Sequence, residues 1–181
     1  MAETTTKTHS VRVAQRSLLL SWAGVTDVGR RRETNQDAFF ADYPLFIVAD
    51  GMGGHAGGEI ASRSTVRRLD AVVAAGAVDR GAIEGALQLA VADIADHPET
   101  TDEGTGTTLT GVFLEFEGDE PHWTSLNIGD SRVYLLRDER LVQITTDHSV
   151  VQELIAAGKI SPEEAEGCLL YTSDAADDSL R

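Results

Sequence analysis

Two aspartates have settings that a surface loop would not need. Asp37 lies in the run Arg32-Glu33-Thr34-Asn35-Gln36-Asp37-Ala38-Phe39. Asp50 ends the apolar run Leu45-Phe46-Ile47-Val48-Ala49 and opens Gly51-Met52-Gly53-Gly54-His55-Ala56-Gly57-Gly58-Glu59. A strand that delivers a carboxylate into a glycine-rich turn suits a hard divalent cation. Carboxylate and carbonyl oxygens favour Mg and Mn, ions that keep several bound waters. Glycines let the backbone approach an ion, and Gly51 can offer its carbonyl oxygen. A flexible surface turn is the bland alternative. A nucleotide-cradling loop fails because no Lys-Ser or Lys-Thr pair follows the glycines, and the dinucleotide fingerprint has different spacing. His55 and Glu59 lack the second histidine of a zinc-protease motif.

Other residues have two readings each. His55 is either an ordinary loop histidine or a proton-transfer group beside a metal carboxylate. Arg32 is either a surface arginine or, as part of Arg30-Arg31-Arg32 in an acidic chain, a fork for phosphate. Asn127-Ile128-Gly129-Asp130-Ser131-Arg132 reads most simply as a hairpin turn. Asp147-His148 reads as an Asx-type turn at a helix start. Gly104-Thr105-Gly106-Thr107-Thr108 reads as small residues leading into a core strand.

The elements that must position these residues follow from the hydrophobic pattern. Ser17 to Thr26, Ala38 to Ala41 and Leu45 to Ala49 read as strands, the last an apolar run short enough to be a buried one. Glu59 to Ala75 and Gly81 to Ala95 carry apolar residues at helical spacing. Thr107 to Glu117, Trp123 to Ile128, Arg132 to Leu136 and Leu141 to Ile144 read as strands, with a hairpin loop at Arg137-Asp138-Glu139-Arg140. Ser149 to Ala157 reads as a helix, and Ser161-Pro162-Glu163-Glu164 opens another. Strand clusters around two consecutive helices point to an α+β layered domain. Residues 1–16 are expected to be a disordered lead.

The 181 residues suit one domain, with ordinary hydrophobic (41%) and charged (25%) fractions. A net charge of −15 argues against nucleic acid and anionic lipid as partners. Bound metal ions would still let such a chain take an anionic substrate. The single Cys168 excludes an intrachain disulfide framework. A reducing cytoplasm and a monomer are expected. No apolar stretch approaches the roughly 20 residues of a membrane span.

Taken together, five runs resemble the metal-dependent type-2C (PPM-type) protein serine/threonine phosphatases in their bacterial form. They are VTDVGRRRETNQDAFF, LFIVADGMGGHAGGEIAS, GTGTTLTGV, NIGDSRVYLLRD and LVQITTDHSVVQELIAAGKISPEEA, in family order over Leu18 to Glu166. The resemblance implies a four-layer α-β-β-α sandwich of two antiparallel sheets flanked by helices, with the partial domain at 17–166. It implies a hydrolase using two Mn or Mg ions. Asp37 and Asp50 match metal ligands, Asp50 bridging, and Gly51 matches a carbonyl ligand. Asp130 matches a residue linked to a third, looser ion. Arg32 matches the arginine that grips substrate phosphate. His55 matches the general acid when the loop is aligned on His-Ala-Gly, which leaves Met52 and Gly53 as extra residues. Gln36 stands where many members have Glu. Val150 to Ala165 resembles a mobile flap beside the active site. The implied partners are proteins phosphorylated on Ser or Thr and the Ser/Thr kinases that act on them. The implied reaction is direct attack of metal-activated water on phosphorus, without a covalent enzyme intermediate.

The family's later Ser-Asp-Gly and Asp-Asn runs, each with a metal-binding aspartate, are not in this sequence. Residues 167–181 do not resemble the family and are expected to be foreign to it. The parent protein is therefore expected to be a phosphatase, and this fragment impaired and poorly stable. A non-catalytic phosphoprotein-binding or regulatory module is the alternative.

Overall fold

The computed structural model describes residues 5–53, 56–100 and 104–148. The chain opens with an antiparallel hairpin of β1 (Thr5–Val13) and β2 (Arg16–Gly24). The central sheet contains β3 (Asp37–Asp42) and β4 (Leu45–Met52). Two helices follow, α1 (Gly57–Ala74) and α2 (Arg80–Ala95). The short β5 (Gly106–Thr107) pairs with the end of β4, and β6 (Leu109–Glu117) and β7 (Glu120–Ile128) complete the sheet in the order β3-β4-β6-β7. β8 (Tyr134–Arg137) and β9 (Arg140–Gln143) form a second hairpin. Asp138 and Glu139 make its turn with positive φ, the two-residue geometry that matches strand twist.

Alternation along β4 separates the sheet's two faces. Leu45, Ile47 and Ala49 are buried with Leu109 and Phe113 against Leu69 of α1 and Ile83 and Ala86 of α2. Along α1, Ala61, Thr65 and Leu69 are buried at helical spacing, as are Ile83, Ala86, Ala90 and Ile94 along α2. Asp79 caps α2 by accepting from the Ala82 N–H at 2.8 Å.

The other face carries Phe46, Val48 and, in register, Phe39 and Val112. β2 packs over part of it. The Trp22 ring meets Phe46 edge-on at 5.2 Å, and its indole N–H donates to the Ala41 carbonyl at 2.8 Å. A cavity of about 530 Å³ remains between β2, the sheet and the Arg132–Val133 segment. Val48 is 46% and Trp123 51% exposed. β4 was expected to be a buried strand; its burial is on one face, the one the helices cover.

The antiparallel α+β architecture is the expected one, and element types along residues 17–144 agree with the pattern reading. The N-terminal lead differs. Residues 5–13 form a strand in continuous register with β2, although the run is polar up to Ser10 and only Val11 and Val13 alternate as apolar residues. The ladder rests on main-chain bonds. It is tied to the sheet by Lys7 with Asp42 at 3.0 Å and by stacking of His9 on Tyr43 at 4.3 Å. The expected helices from Ser149 and Ser161, the flap at Val150 to Ala165 and the tail 167–181 lie outside the described residues.

Candidate metal and phosphate site

The sheet brings Asp37 and Asp50 face to face. They are register partners at the ends of β3 and β4, on the face turned away from the helices. Directly opposed residues in such a ladder have Cβ atoms about 4.5–5.5 Å apart, and like charges there repel. The Asp50 carboxyl responds: its pKa rises from 3.8 to about 6. Burial of the carboxyl is the largest cause, followed by the Asp37 charge, a hydrogen bond with Asp37 and the Asp130 charge. Arg32 acts in the opposite sense. Four residues singled out on chemical grounds therefore share one electrostatic neighbourhood. A divalent cation would relieve the repulsion, and hard carboxylate oxygens are its preferred donors.

The glycines around Asp50 have a packing role. A Cβ on Gly51 would lie 2.0 Å from the Gly58 carbonyl oxygen and 2.6 Å from that of Gln36. A Cβ on Gly58 would meet the Gln36 Oε1 at 2.7 Å. The start of α1 is thus pressed directly on the end of β4. Ser62 Oγ donates to the Gln36 carbonyl at 2.6 Å, and the Gly51 N–H donates to the same oxygen at 3.2 Å. The close approach that Gly51 permits in the described structure is of backbone to backbone, and Gly58 admits the Gln36 side chain as well.

On its other side, Asp50 is held by two threonines. Its carbonyl accepts from the Thr108 N–H and the Thr107 hydroxyl, both at 2.9 Å, and its N–H donates to Thr108 Oγ1 at 3.2 Å. Thr108 Oγ1 also shares a 2.7 Å hydrogen bond with Ser131 Oγ. This joins Asp50 to the turn that carries Asp130. The reading of Thr107 and Thr108 as strand lead-in residues missed this role.

The Asx-turn reading of Asp147 concerns residues from 149 on, which lie outside the described residues; among the described residues, the carboxylate is paired with Arg132. Arg132 Nε lies 2.9 Å from both carboxylate oxygens, Nη2 contacts one of them, and Gln143 Nε2 donates to Oδ1 at 3.0 Å. The paired acid-base signal was present in the sequence, but the partners are fifteen residues apart.

Arg32 is exposed in the loop before β3, and Asp130 is half-buried in its turn. His55 lies outside the described residues. Among the described residues, no group of three or more His, Cys, Asp or Glu side chains is close enough to hold an ion by itself. Asp130 is therefore near the facing pair without joining it in one tight cluster.

Facing carboxylates at the end of an antiparallel sheet, beside a glycine turn, offer the hard oxygen donors that a divalent cation prefers. The family model described as Protein phosphatase 2C matches residues 28–160, and the chain belongs to that family. It is 38% identical over 169 residues to the serine/threonine protein phosphatase PstP of Mycobacterium tuberculosis, covering 84% of this chain and 30% of that protein. The chain thus spans under a third of that relative's length. The crystal structure of the M. tuberculosis serine/threonine phosphatase PstP/Ppp superposes with a TM-score of 0.66 at 31% identity, over 97% of this chain and 69% of that one. A structure of the PstP catalytic domain in complex with two manganese ions superposes with a TM-score of 0.61 at 32% identity, over 91% and 65%. No helix among the described residues is long and apolar enough to cross a membrane.

Proposed function

We propose that this chain carries the metal- and phosphate-binding part of a phosphatase that hydrolyses phosphoserine and phosphothreonine in proteins. The observation that carries the reading is the direct opposition of Asp37 and Asp50, two acids the fold holds together at an electrostatic cost. Asp37 and Asp50 would hold two Mn2+ or Mg2+ ions with the Gly51 carbonyl, and Asp130 would serve a third. When bound, such ions supply Lewis-acid stabilisation of the phosphoryl oxygens and an activated water. Arg32, within electrostatic reach of Asp50, offers a planar fork to the substrate phosphate and stabilises its charge as the ester bond breaks. His55 is assigned the proton delivered to the departing serine or threonine oxygen.

Phosphorylated Ser/Thr proteins are the substrates in this reading, with Ser/Thr kinases as functional opposites, a cytoplasmic setting and a monomeric state. Activity well below that of a full-length relative is expected, since the described carboxylates form a pair rather than a cluster of three. That same observation favours a second reading, a phosphoprotein-binding module without turnover.

Calorimetry with Mn2+ and phosphate release from a phosphothreonine peptide test both. The phosphatase reading expects Mn2+ binding that Asp37→Asn or Asp50→Asn abolishes, with slow Mn-dependent release. Binding of the phosphopeptide with neither Mn2+ affinity nor release would establish the module instead.

A further inference from the structure

We propose that Asp147 is a positioning residue: through its fork with Arg132 it fixes the turn that places Asp130 beside Asp50, and so sets the Mn2+ affinity of the site. The inference deepens the phosphatase reading and rests on it. Asp147 is 8% exposed, and its carboxylate is occupied by Arg132 and Gln143. It therefore faces inward and is not itself offered to an ion. The chain around it is strapped to the turn. The His148 N–H donates to the Gly129 carbonyl at 2.9 Å, and Asn127 Nδ2 donates to Gly129 and Thr146 carbonyls at 3.0 and 3.1 Å. The Val133 N–H donates to Thr145 Oγ1 at 3.0 Å.

The opposite side of the turn is fixed just as closely. Gly129 has φ +90, and a Cβ there would meet Thr108 Cγ2 at 2.8 Å. Ser131 bonds Thr108, and Thr108 bonds the Asp50 backbone in both directions. Hydrogen bonds and chain neighbours thus run without a break from Asp147 through Arg132, Ser131 and Thr108 to Asp50. A largely buried ion pair is a poor means of adding stability, because desolvation offsets most of the attraction. Its better-attested use is to fix geometry, and here the geometry fixed is that of a carboxylate whose charge reaches Asp50. Outer partners of metal ligands act in this way.

The test measures Mn2+ affinity by calorimetry on the full chain, with folding followed by circular dichroism. Asp147→Asn and Arg132→Lys are each expected to weaken Mn2+ binding about tenfold. In an Asp130→Asn background, Asp147→Asn should bring no further loss, since it acts through Asp130. A purely structural role would weaken both backgrounds alike and overturn the proposal. So would unchanged affinity in a folded Asp147→Asn chain. Should Asp147→Asn fail to fold, Arg132→Lys decides by the same cycle. Asp93→Asn, which breaks a comparable fork to Arg68 on the helices, should leave affinity unchanged; a similar loss there would also overturn the proposal. If Asp37→Asn abolishes binding while Asp147→Asn and Arg132→Lys leave it intact, the inference fails and the functional reading stands. If the unaltered chain binds no Mn2+, both fail.

Discussion

Asp50 and Asp130 are held by different means. Asp50 sits on a strand whose position is set by main-chain bonds, by the helices beneath Leu45 and Ile47, and by a backbone contact at Gly51 that leaves no room for a methyl group. Asp130 sits on a turn held by side chains: Arg132 with Asp147, Ser131 with Thr108, and Asn127 with two carbonyls. A ladder-held carboxylate is insensitive to most side-chain changes nearby but intolerant of added backbone bulk. A carboxylate held by side chains is lost one hydrogen bond at a time. The fold spends its rigid element on the residue that faces another acid.

The largest effect should come from Gly51→Ala, which strikes the ladder side. Its methyl group would force β4 and α1 apart, at about 3 kcal/mol, the upper end of ordinary overpacking, and Mn2+ binding should vanish with it. A variant with unchanged melting temperature and affinity would contradict the backbone-held account. Asp147→Ala should cost about 2 kcal/mol. Breaking a fully buried pair costs more, about 3–5 kcal/mol, but Arg132 keeps partial contact with water. Urea denaturation at neutral pH reads this directly. Thr108→Val removes one hydroxyl shared by both regions and should cost about 1 kcal/mol. Its Mn2+ affinity should fall even where stability barely changes, and affinity that tracks stability alone would show that the two regions are not joined there.

The smallest effect is a dependence on pH. Asp50 has a raised pKa in the folded chain, so the folded state holds this proton more tightly than the unfolded state. Its contribution to metal-free stability is fully present below about pH 3.8 and is lost as pH rises to about 6. Melting curves of the metal-free chain, compared with Asp50→Asn across that window, should diverge with this sign. Saturating Mn2+ should abolish this loss with rising pH in the unaltered chain by holding Asp50 ionised in the folded state, and should leave the Asp50→Asn curves unchanged.

Much of the ladder side was legible in the sequence. An apolar run ending in aspartate and a glycine turn state their geometry within about fifteen residues, and the helices repeat their apolar positions every three or four. The side-chain-held turn was not legible, because Arg132 and Asp147 are ordinary surface residue types until a fold joins them. The strand at 5–13 was missed for a related reason. Main-chain pairing needs no hydrophobic signature, and the segment gives only a short one at Val11 and Val13 after a polar run. The glycines were assigned to the correct place for an incomplete reason: a Cβ on Gly51 would meet the carbonyls of Gly58 and Gln36.

The chain has two tryptophans, and both rings lie against Phe46, Trp22 at 5.2 Å and Trp123 at 5.8 Å. Intrinsic fluorescence is therefore an optical gauge of one place, the gap between β2 and the sheet. Emission should shift to the blue when any segment or small apolar molecule fills that gap. A quencher such as iodide should reach Trp123 before Trp22, whose indole is tied to the Ala41 carbonyl.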